Sequence, residues 1–234
     1  MRFRVLFALL VAAQLAYGSA PRRSERATQA LVLLMLATAG AEAAQARGRR
    51  GLLALAAAGG IGFAVELAGV RSGRVFGRYR YSGRLGPRIG GVPLLAAAAW
   101  ALMARPAWVV AGRLARRPAA RVPLAAGALT AWDVFLDPRM VREGYWTWPA
   151  GGAYEGVPAS NFAGWLATSL AIFAAWAALA DDDRADGGGA LALYVWTWAG
   201  ETIANAVVWR QPRVAAAGGL AMGAFAVPAL ARRP

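Results

Sequence analysis

NFAGWLATSLAIFAAWAALA, residues 161–180, is an unbroken run without a charged side chain. A helix needs about 20 predominantly apolar residues to cross the hydrocarbon core of a bilayer. Similar runs recur along the chain, in which 59% of the 234 residues are hydrophobic and only 16% are charged. A soluble domain is ordinarily about half apolar and about a quarter charged. The composition therefore predicts a membrane protein and excludes a disordered chain.

Apolar segments of this kind account for most of the sequence. They predict an all-α polytopic membrane protein, a bundle of about eight (seven to eight) transmembrane helices. Arg105 and Pro106 interrupt the fourth segment. No stretch remains for a soluble domain, so residues 1–234 are expected to form a single membrane-embedded domain. The candidate segments are Phe3–Ala20, Ala27–Ala44, Gly51–Gly69, Val92–Ala111, Val122–Leu136, Asn161–Ala180, Ala190–Trp209 and Val214–Leu230.

The first segment has some features of a secretory signal peptide. Arg2 and Arg4 precede the apolar run, and residues 18–20 resemble a cleavage site. Because a second apolar run follows within a few residues, we expect a retained first helix. The arginines divide evenly between the two sides of an eight-span arrangement, so the positive-inside rule does not set its orientation.

The residue types that are missing restrict the possible chemistry. The chain has no cysteine and no histidine, which excludes disulfides, zinc sites built on these residues, thiol catalysis and a Ser-His-Asp triad. Acid–base chemistry must therefore use Asp, Glu or Tyr. The net charge of +14 comes from 26 basic residues, all arginine, and 12 acidic residues. Arginines that flank membrane segments explain this charge better than nucleic-acid binding does.

Glu201 is an ionisable residue well inside the segment Ala190–Trp209. Ionisable groups inside a membrane are costly and are therefore candidates for function. The alternative is a hydrogen bond that joins two helices, a role that Ser, Thr and Asn fill more often. We expect Glu201 to be functional. Helical spacing places five polar or aromatic residues on one face of this segment: Tyr194, Trp198, Glu201, Asn205 and Trp209.

Glu66 is a second candidate, near the end of Gly51–Gly69. Gly59, Gly62 and Phe63 share its helix face. The small residues permit a close helix approach or leave room for a ligand. A glutamate so near the end of a segment can also extend toward the interface. Both explanations are open at this point.

Asp133 and Asp137 form a D-x-x-x-D pair on one helix face. Pro138 follows the second aspartate, so we expect the helix to end there. Two neighbouring carboxyl groups can retain a proton at neutral pH, or bind a divalent cation. The alternative is a helix end salt-bridged through Arg139 or Arg142.

Other polar positions have structural explanations. Glu42 is expected to be an interfacial, solvated carboxylate, since Arg47 follows it closely. Ser160 and Asn161 are typical of a helix N-cap. The run DDDRADGGG, residues 181–189, is typical of a flexible solvated linker. The aromatic residues and arginines of the loops 69–93 and 137–160 also fit an interfacial belt and lipid headgroup contacts.

These two loops nevertheless carry long motifs. Residues 64–103 contain E-x-x-G-V-x-[ST]-G-x-x-F-G-x-Y-x-Y from Glu66 to Tyr81, then LGP at 85–87 and GVP at 91–93. Residues 132–165 contain DP at Asp137, W-x-W at 146–148, Y-x-G-V-P at 154–158 and NF-x-GW at 161–165. The chain thus resembles the carotenoid biosynthesis membrane-protein family, in particular its carotenoid 1′,2′-hydratases that act on ψ-end groups (the CruF-type, bisanhydrobacterioruberin hydratase-like proteins).

The resemblance implies an enzyme of carotenoid biosynthesis, a hydro-lyase. It implies addition of water to the terminal C1′,2′ double bond of an acyclic ψ-end, on a lycopene-like, γ-carotene-like or C50 bisanhydrobacterioruberin-like substrate. Such chemistry requires a neutral carboxylic acid to protonate the alkene, aromatic faces to stabilise a carbocation, and a group that orients water. The acid candidates are Asp133, Asp137, Glu201 and Glu66, with the aspartate pair favoured. The candidates for binding substrate, stabilising the cation and positioning water are Tyr79, Tyr81, Tyr145, Trp146, Trp148, Tyr154, Asn161, Trp165, Trp198 and Asn205.

The same resemblance sets expectations for partners and location. We expect no cofactor, no metal and no nucleic acid. The expected partners are a hydrophobic carotenoid substrate and the lipid bilayer, and other carotenoid biosynthesis enzymes are further candidates. The protein is expected to be an integral, multi-pass protein of a bacterial or archaeal cytoplasmic membrane.

Two other functions compete with hydration. A UbiA-like, Mg-dependent intramembrane prenyltransferase would use the D-x-x-x-D pair for Mg²⁺ and loop arginines for diphosphate. Its usual second Asp-rich motif is matched here only by residues 181–183, in the Gly-rich linker. A non-enzymatic membrane transporter or scaffold would use the embedded acids as part of an ion or lipid path, but no repeat symmetry supports a transporter.

Overall fold

The computed structural model describes residues 2–115, 117–179 and 187–232. Within these residues the chain forms seven α-helices and four two-residue strands, with a short 3₁₀-helix at Gly83–Leu85 and a π-helix at Ala204–Val208. The helices are α1 (Arg2–Ser19), α2 (Glu25–Ser72), α3 (Leu94–Leu114), α4 (Pro118–Arg142), α5 (Ala159–Leu179), α6 (Gly188–Ile203) and α7 (Pro212–Ala231). The strands are β1 (Arg80–Tyr81), β2 (Arg88–Ile89), β3 (Val92–Pro93) and β4 (Trp146–Thr147).

Five of the described helices are long and apolar enough to cross a membrane: α2, α3, α4, α7 and the Ala159–Ala178 part of α5. These helices agree with the all-α membrane protein predicted from the composition. The first predicted segment forms α1, whose Tyr17 hydroxyl contacts the Thr28 hydroxyl of α2 at 2.7 Å. The number of seven to eight membrane spans stays a prediction.

The long helix α2 contains a chain reversal at Gly48. Gly48 has φ 58° and ψ −138°, a backbone conformation that glycine adopts because it lacks a Cβ atom. A Cβ atom on Gly51 would overlap the carbonyl oxygen of Ala43, although residues eight apart on a straight helix are separated by about 12 Å. The two halves of α2 therefore fold back on each other, and they correspond to the predicted segments that end at Ala44 and begin at Gly51.

The helix α3 lies at the centre of the bundle, packed against α2, α4, α6 and α7. Every residue from Trp100 to Ala111 is buried. Arg105 and Pro106, which the sequence places as an interruption of this segment, lie within the continuous helix. The many alanines of α3 allow its neighbours to approach closely.

Glu42 pairs with Arg105 inside the bundle. The Nε atom of Arg105 lies 2.5 Å from Oε2 of Glu42, and only 3–4% of either residue is exposed. The prediction of an interfacial, solvated Glu42 was therefore wrong. A buried arginine without an opposite charge would be strongly destabilising, so Glu42 explains why α3 tolerates Arg105.

The helix α4 passes through Pro138 and ends at Arg142. Proline has no N–H to donate to the carbonyl four residues earlier, which is that of Val134. The Tyr154 hydroxyl donates to this carbonyl oxygen instead, at 3.1 Å. Burial raises the pKa of Tyr154 to about 12, so this donor keeps its proton at neutral pH. The prediction that the helix ends at Asp137 was wrong, because a distant tyrosine compensates for the proline.

The two motif-bearing loops pair with each other. The strand β1 from the first loop runs antiparallel to β4 from the second, with Tyr81 opposite Trp146. A second pair, β2 with β3, forms a hairpin inside the first loop. The loop pairing brings the end of α2 and the end of α4 together with the beginnings of α3 and α5.

Candidate active site

A mostly apolar cavity of about 410 Å³ lies at the end of the bundle where the two loops pair. Its volume is within the range of about 300–1,000 Å³ that small-molecule sites occupy. Three of the predicted acids line it, namely Glu66, Asp137 and Glu201. Aromatic rings from both loops and from α3, α4 and α5 form much of the wall: Phe76, Tyr79, Tyr81, Trp100, Trp132, Trp146, Trp148 and Trp165.

Asn161 joins the two aspartates of α4. Its side-chain amide donates to Oδ2 of Asp133 at 2.8 Å and also to Oδ2 of Asp137. The spacing of four residues presents both carboxyl groups on one face of α4. The expectation that Ser160 and Asn161 cap α5 was wrong, because α5 begins at Ala159 and the Asn161 side chain contacts the aspartates instead.

The two aspartates have different surroundings. The indole N–H of Trp146 donates to Oδ1 of Asp137 at 2.9 Å, whereas Oδ1 of Asp133 is buried without a hydrogen-bond partner. Asp137 lines the cavity and Asp133 lies behind it, fully buried. Two carboxyl groups this close cannot both be ionised without a large electrostatic penalty, so the pair is suited to hold one proton.

Glu66 is surrounded by hydrogen-bond donors. Its Oε2 atom accepts from the hydroxyls of Tyr79 and, at 2.9 Å, Tyr81, and its Oε1 atom accepts from the indole N–H of Trp100 at 3.2 Å. Only 4% of Glu66 is exposed, so it does not extend to the interface. Burial raises the pKa of the Tyr79 and Tyr81 hydroxyls, and the charge of Glu66 raises it further. Three donors of this kind suit an ionised carboxylate.

Glu201, by contrast, lies near a cation. Its Oε1 atom is 3.9 Å from Nη1 of Arg139. Arg139 also pairs with Glu143 at 3.2 Å and lies over the Trp209 ring at 4.1 Å. The described ion pairs of Arg139 are therefore with Glu143 and Glu201, and the structure does not show the alternative in which Arg139 salt-bridges the aspartates. Asn205 donates to the Glu201 carboxylate at 3.3 Å.

The aromatic rings around the acids contact one another. Tyr79 stacks on Trp148 with ring centroids 5.7 Å apart, and Tyr81 meets Trp146 edge-on at 5.6 Å. Trp165 stacks on a ring of α3 at 3.9 Å. Aromatic faces carry the negative part of a quadrupole and attract cations. Together with Asn161, these five predicted binding residues meet in the cavity.

The other four predicted binding residues do not line the cavity. The Tyr145 hydroxyl donates to the Thr28 hydroxyl at 2.8 Å, and the Trp198 indole donates to the Gly219 carbonyl at 2.8 Å. Tyr154 supports α4, and Asn205 supports Glu201. The predicted continuous polar face of the seventh segment is also interrupted, because the helix changes to a π-helix at Ala204–Val208 and so loses the 3.6-residue period.

The predicted binding residues omit six aromatic residues of the cavity wall: Tyr17, Phe76, Trp100, Trp132, Trp196 and Trp209. Trp100 is the most informative of these, because it donates directly to Glu66. Phe76, Trp100 and Trp132 lie inside the two motif blocks, 64–103 and 132–165, and that membership was the available signal. The other three lie outside both blocks.

The described residues contain no group of three acids placed to hold a metal ion. The acidic run at 181–183, considered as a second Asp-rich motif, lies outside the described residues. The donors that surround Glu66 and the aspartate pair are phenols, indoles and an amide, as described above.

The family described as carotenoid biosynthesis protein matches residues 26–225. This match spans both motif blocks, all the helices that form the cavity wall except α1, and all four candidate acids. The chain belongs to this family. As a carotenoid biosynthesis protein it is similar to bisanhydrobacterioruberin hydratase of Haloarcula japonica, with 32% identity over 123 residues. That alignment covers 50% of this chain and 42% of the relative, so the chain matches less than half of the relative's length. No solved structure matches.

Proposed function

We propose that this carotenoid biosynthesis protein is a hydratase that adds water to the terminal C1′,2′ double bond of an acyclic carotenoid ψ-end. The observation that carries the proposal is a buried carboxyl group, Asp137, that opens onto an apolar cavity with aromatic walls. An apolar cavity suits a hydrocarbon end group, and a carboxyl group inside it can supply a proton. The family and the hydratase-named relative support the same reaction class.

The first step is protonation of the alkene. Asp137 donates its proton to C2′, the less substituted carbon, and the π electrons of the double bond form the new C–H bond. The positive charge is then left on C1′, which is tertiary. Asp133 lies behind Asp137 as a second carboxyl group, and the Asn161 amide donates a hydrogen bond to each of the two aspartates. A positioned general acid of this kind contributes about 10²–10⁴-fold in rate.

The second requirement is stabilisation of the carbocation. The stacked rings of Tyr79 and Trp148 and the adjoining Tyr81 and Trp146 lie on the cavity wall, where their faces can attract positive charge. Glu66 lies beside them with its carboxyl oxygens fixed by three donors before the reaction begins, and in its ionised form it adds a negative charge there. Fixed charges inside a site that is shielded from bulk water stabilise a transition state more strongly than they would in water.

The last step is capture of the cation by water. A water molecule attacks C1′ through its oxygen and loses one proton to the carboxylate of Asp137. The product is a tertiary alcohol and the acid is restored. The net reaction adds one water molecule to one alkene. No oxidant, reductant or cofactor takes part in this balance.

The proposal places the protein in a bacterial or archaeal cytoplasmic membrane as a multi-pass bundle of the eight predicted segments, folded as a single domain. Its substrate is dissolved in the bilayer, and other enzymes of carotenoid biosynthesis supply the substrate and consume the product.

Pigment analysis tests the proposal. The gene is expressed in cells that accumulate lycopene and, separately, in cells that accumulate a C50 bisanhydro precursor. The pigments are then separated, and their molecular masses are measured by mass spectrometry. A product heavier than its substrate by one water, with a tertiary hydroxyl at C1′, supports hydration. Unchanged pigment in both strains, with the protein present in the membrane fraction, contradicts it.

A further inference from the structure

The exposed residues of the cavity wall belong to α1, α6 and the π-helix, and the π-helix contacts both of these helices. Most of the cavity's described lining residues are buried or half-buried, and the exposed ones are Leu15, Ser19, Ile203 and Val208. The exposed fraction is 62% for Leu15 and 61% for Ile203. These residues belong to the end of α1, the end of α6 and the π-helix. We call this opening the α1–α6 mouth.

The α1–α6 mouth is mostly apolar on its outer side, with Ser19 the one polar residue among its four exposed lining residues. Leu15, Ile203 and Val208 are large hydrophobic residues, and Val207, beside the last of these, is 69% exposed. In a membrane such side chains lie against lipid acyl chains. A π-helix is uncommon and recurs near functional sites, and here it forms one edge of the opening. Behind the mouth, the indole N–H of Trp196 donates to Oε1 of Gln14 at 2.5 Å and so joins α6 to α1.

We propose that the α1–α6 mouth is a lateral portal through which a polyene dissolved in the membrane inserts one end group, while the rest of its chain stays in the bilayer. This inference rests on the proposed function. A conjugated polyene is a stiff rod and cannot coil inside a cavity of about 410 Å³. The same cavity reaches Asp137 at its inner part and Leu15 and Ile203 at its mouth, so an end group at the acid leaves the remaining chain directed toward lipid.

The portal has a consequence for specificity. The protein contacts the reacting end group, and the distant end of the polyene lies beyond the mouth. Substrates that share an acyclic end group and differ at the distant end are therefore accepted at similar rates, and a symmetrical substrate is processed at both ends in two separate visits.

Substitutions that fill the mouth test the portal. The double variant Leu15→Trp/Ile203→Trp places two indoles at the opening, and the matched control Leu53→Trp/Leu220→Trp places them at lipid-facing positions of 62% and 77% exposure that do not line the cavity. Each protein is purified from lycopene-producing cells, and two quantities are measured: the pigment that co-purifies with the protein, and the hydrated product in the cells. We expect the mouth variant to lose about tenfold in both quantities, because access limits turnover when a gate is closed, and the control to match the wild type.

The amount of bound pigment tests the portal independently of the hydration reaction. If the mouth variant carries as much pigment as the wild type, the portal is overturned, whether or not the wild type hydrates that pigment. Bound lipid acyl chains in place of pigment in the wild-type cavity, identified by mass spectrometry, also overturn it. Pigment bound by the wild type and the control but not by the mouth variant supports the portal even where no hydration occurs.

Closing the mouth reversibly in one protein sample controls for misfolding of the tryptophan double variant. The chain contains no cysteine, so Leu15→Cys/Ile203→Cys supplies the one thiol pair in the protein. Bridging the pair with a cleavable cross-linker should block uptake of pigment from lipid vesicles, and cleavage should restore it in the same sample. Uptake that is the same before and after cleavage contradicts the portal.

Discussion

Tyr81 and Trp146 face each other across the two-residue strand pair β1–β4, and each donates a hydrogen bond to a different acid of the cavity. The Tyr81 hydroxyl donates to Glu66 at 2.9 Å, and the Trp146 indole donates to Asp137 at 2.9 Å. The pairing of the two loops therefore fixes the positions of both acids relative to each other. It also explains why the two motif blocks, far apart in the chain, belong to one site.

Removing the Tyr81 hydroxyl should reduce activity. In Tyr81→Phe the ring still packs against Trp146, but Glu66 loses one of its three donors, which costs about 1–3 kcal/mol for a buried charged acceptor. We expect hydration in the lycopene strain to fall about 5- to 150-fold, since each 1.4 kcal/mol corresponds to about a factor of ten. Product per folded protein is the quantity to measure. The matched control is Tyr145→Phe, which removes a hydroxyl bonded to Thr28 from a buried tyrosine that does not itself line the cavity. Equal losses of activity in the two variants would show that the donor to Glu66 has no special part in the reaction.

Asp137→Asn should abolish hydration. An amide keeps the shape of the side chain, but its N–H protons are far too weakly acidic to protonate the alkene, so we expect a loss of about 10²–10⁴-fold in product formation. Asp133→Asn should lose less, because Asp137 still faces the cavity. Glu143→Gln serves as the control: it lies six residues further along the chain, pairs with Arg139 and does not line the cavity. Full activity in Asp137→Asn would remove Asp137 as the proton donor.

The apolar helices, the three acids that line the cavity and five of its aromatic residues could be predicted from sequence, because apolar runs, rare charges within them and loop motifs are local signals. What could not be predicted depends on contacts between distant residues. A proline such as Pro138 ends most helices, but here the Tyr154 hydroxyl donates to the Val134 carbonyl in place of the missing proline N–H. The sequence indicates that Glu201 is a candidate acid, and only the fold shows that it lies beside Arg139. In the sequence Asn161 resembles a helix cap. Only the packing of α4 against α5 shows that its side chain contacts the two aspartates.

The pair formed by Glu42 and Arg105 should be essential for stability rather than for catalysis. Glu42→Gln leaves the arginine charge in the bundle interior without its carboxylate, and breaking one side of a buried pair costs about 3–5 kcal/mol. Thermal unfolding in detergent should show a large fall in the melting temperature. Glu25→Gln is the control, because Glu25 pairs with Arg84 at the surface, with side chains 47% and 39% exposed, and exposed pairs contribute about 0–1 kcal/mol. Similar melting temperatures for both variants would contradict the structural role of the buried pair.

The glycines of α2 next to Glu66 should differ sharply in their tolerance of alanine. A Cβ atom on Gly62 would overlap the indole of Trp100, whereas a Cβ atom on Gly60 would meet nothing within 4 Å. Gly62→Ala should therefore force Trp100 to move, at a cost of about 1–3 kcal/mol for an overpacked core. Gly60→Ala should instead stabilise the helix, by up to about 1 kcal/mol. Because Trp100 also donates to Glu66, Gly62→Ala should lower hydration per folded protein as well as the melting temperature, and Gly60→Ala should leave hydration unchanged. If Gly62→Ala lost stability but kept full activity, the hydrogen bond from Trp100 to Glu66 would be a packing contact without a part in the reaction.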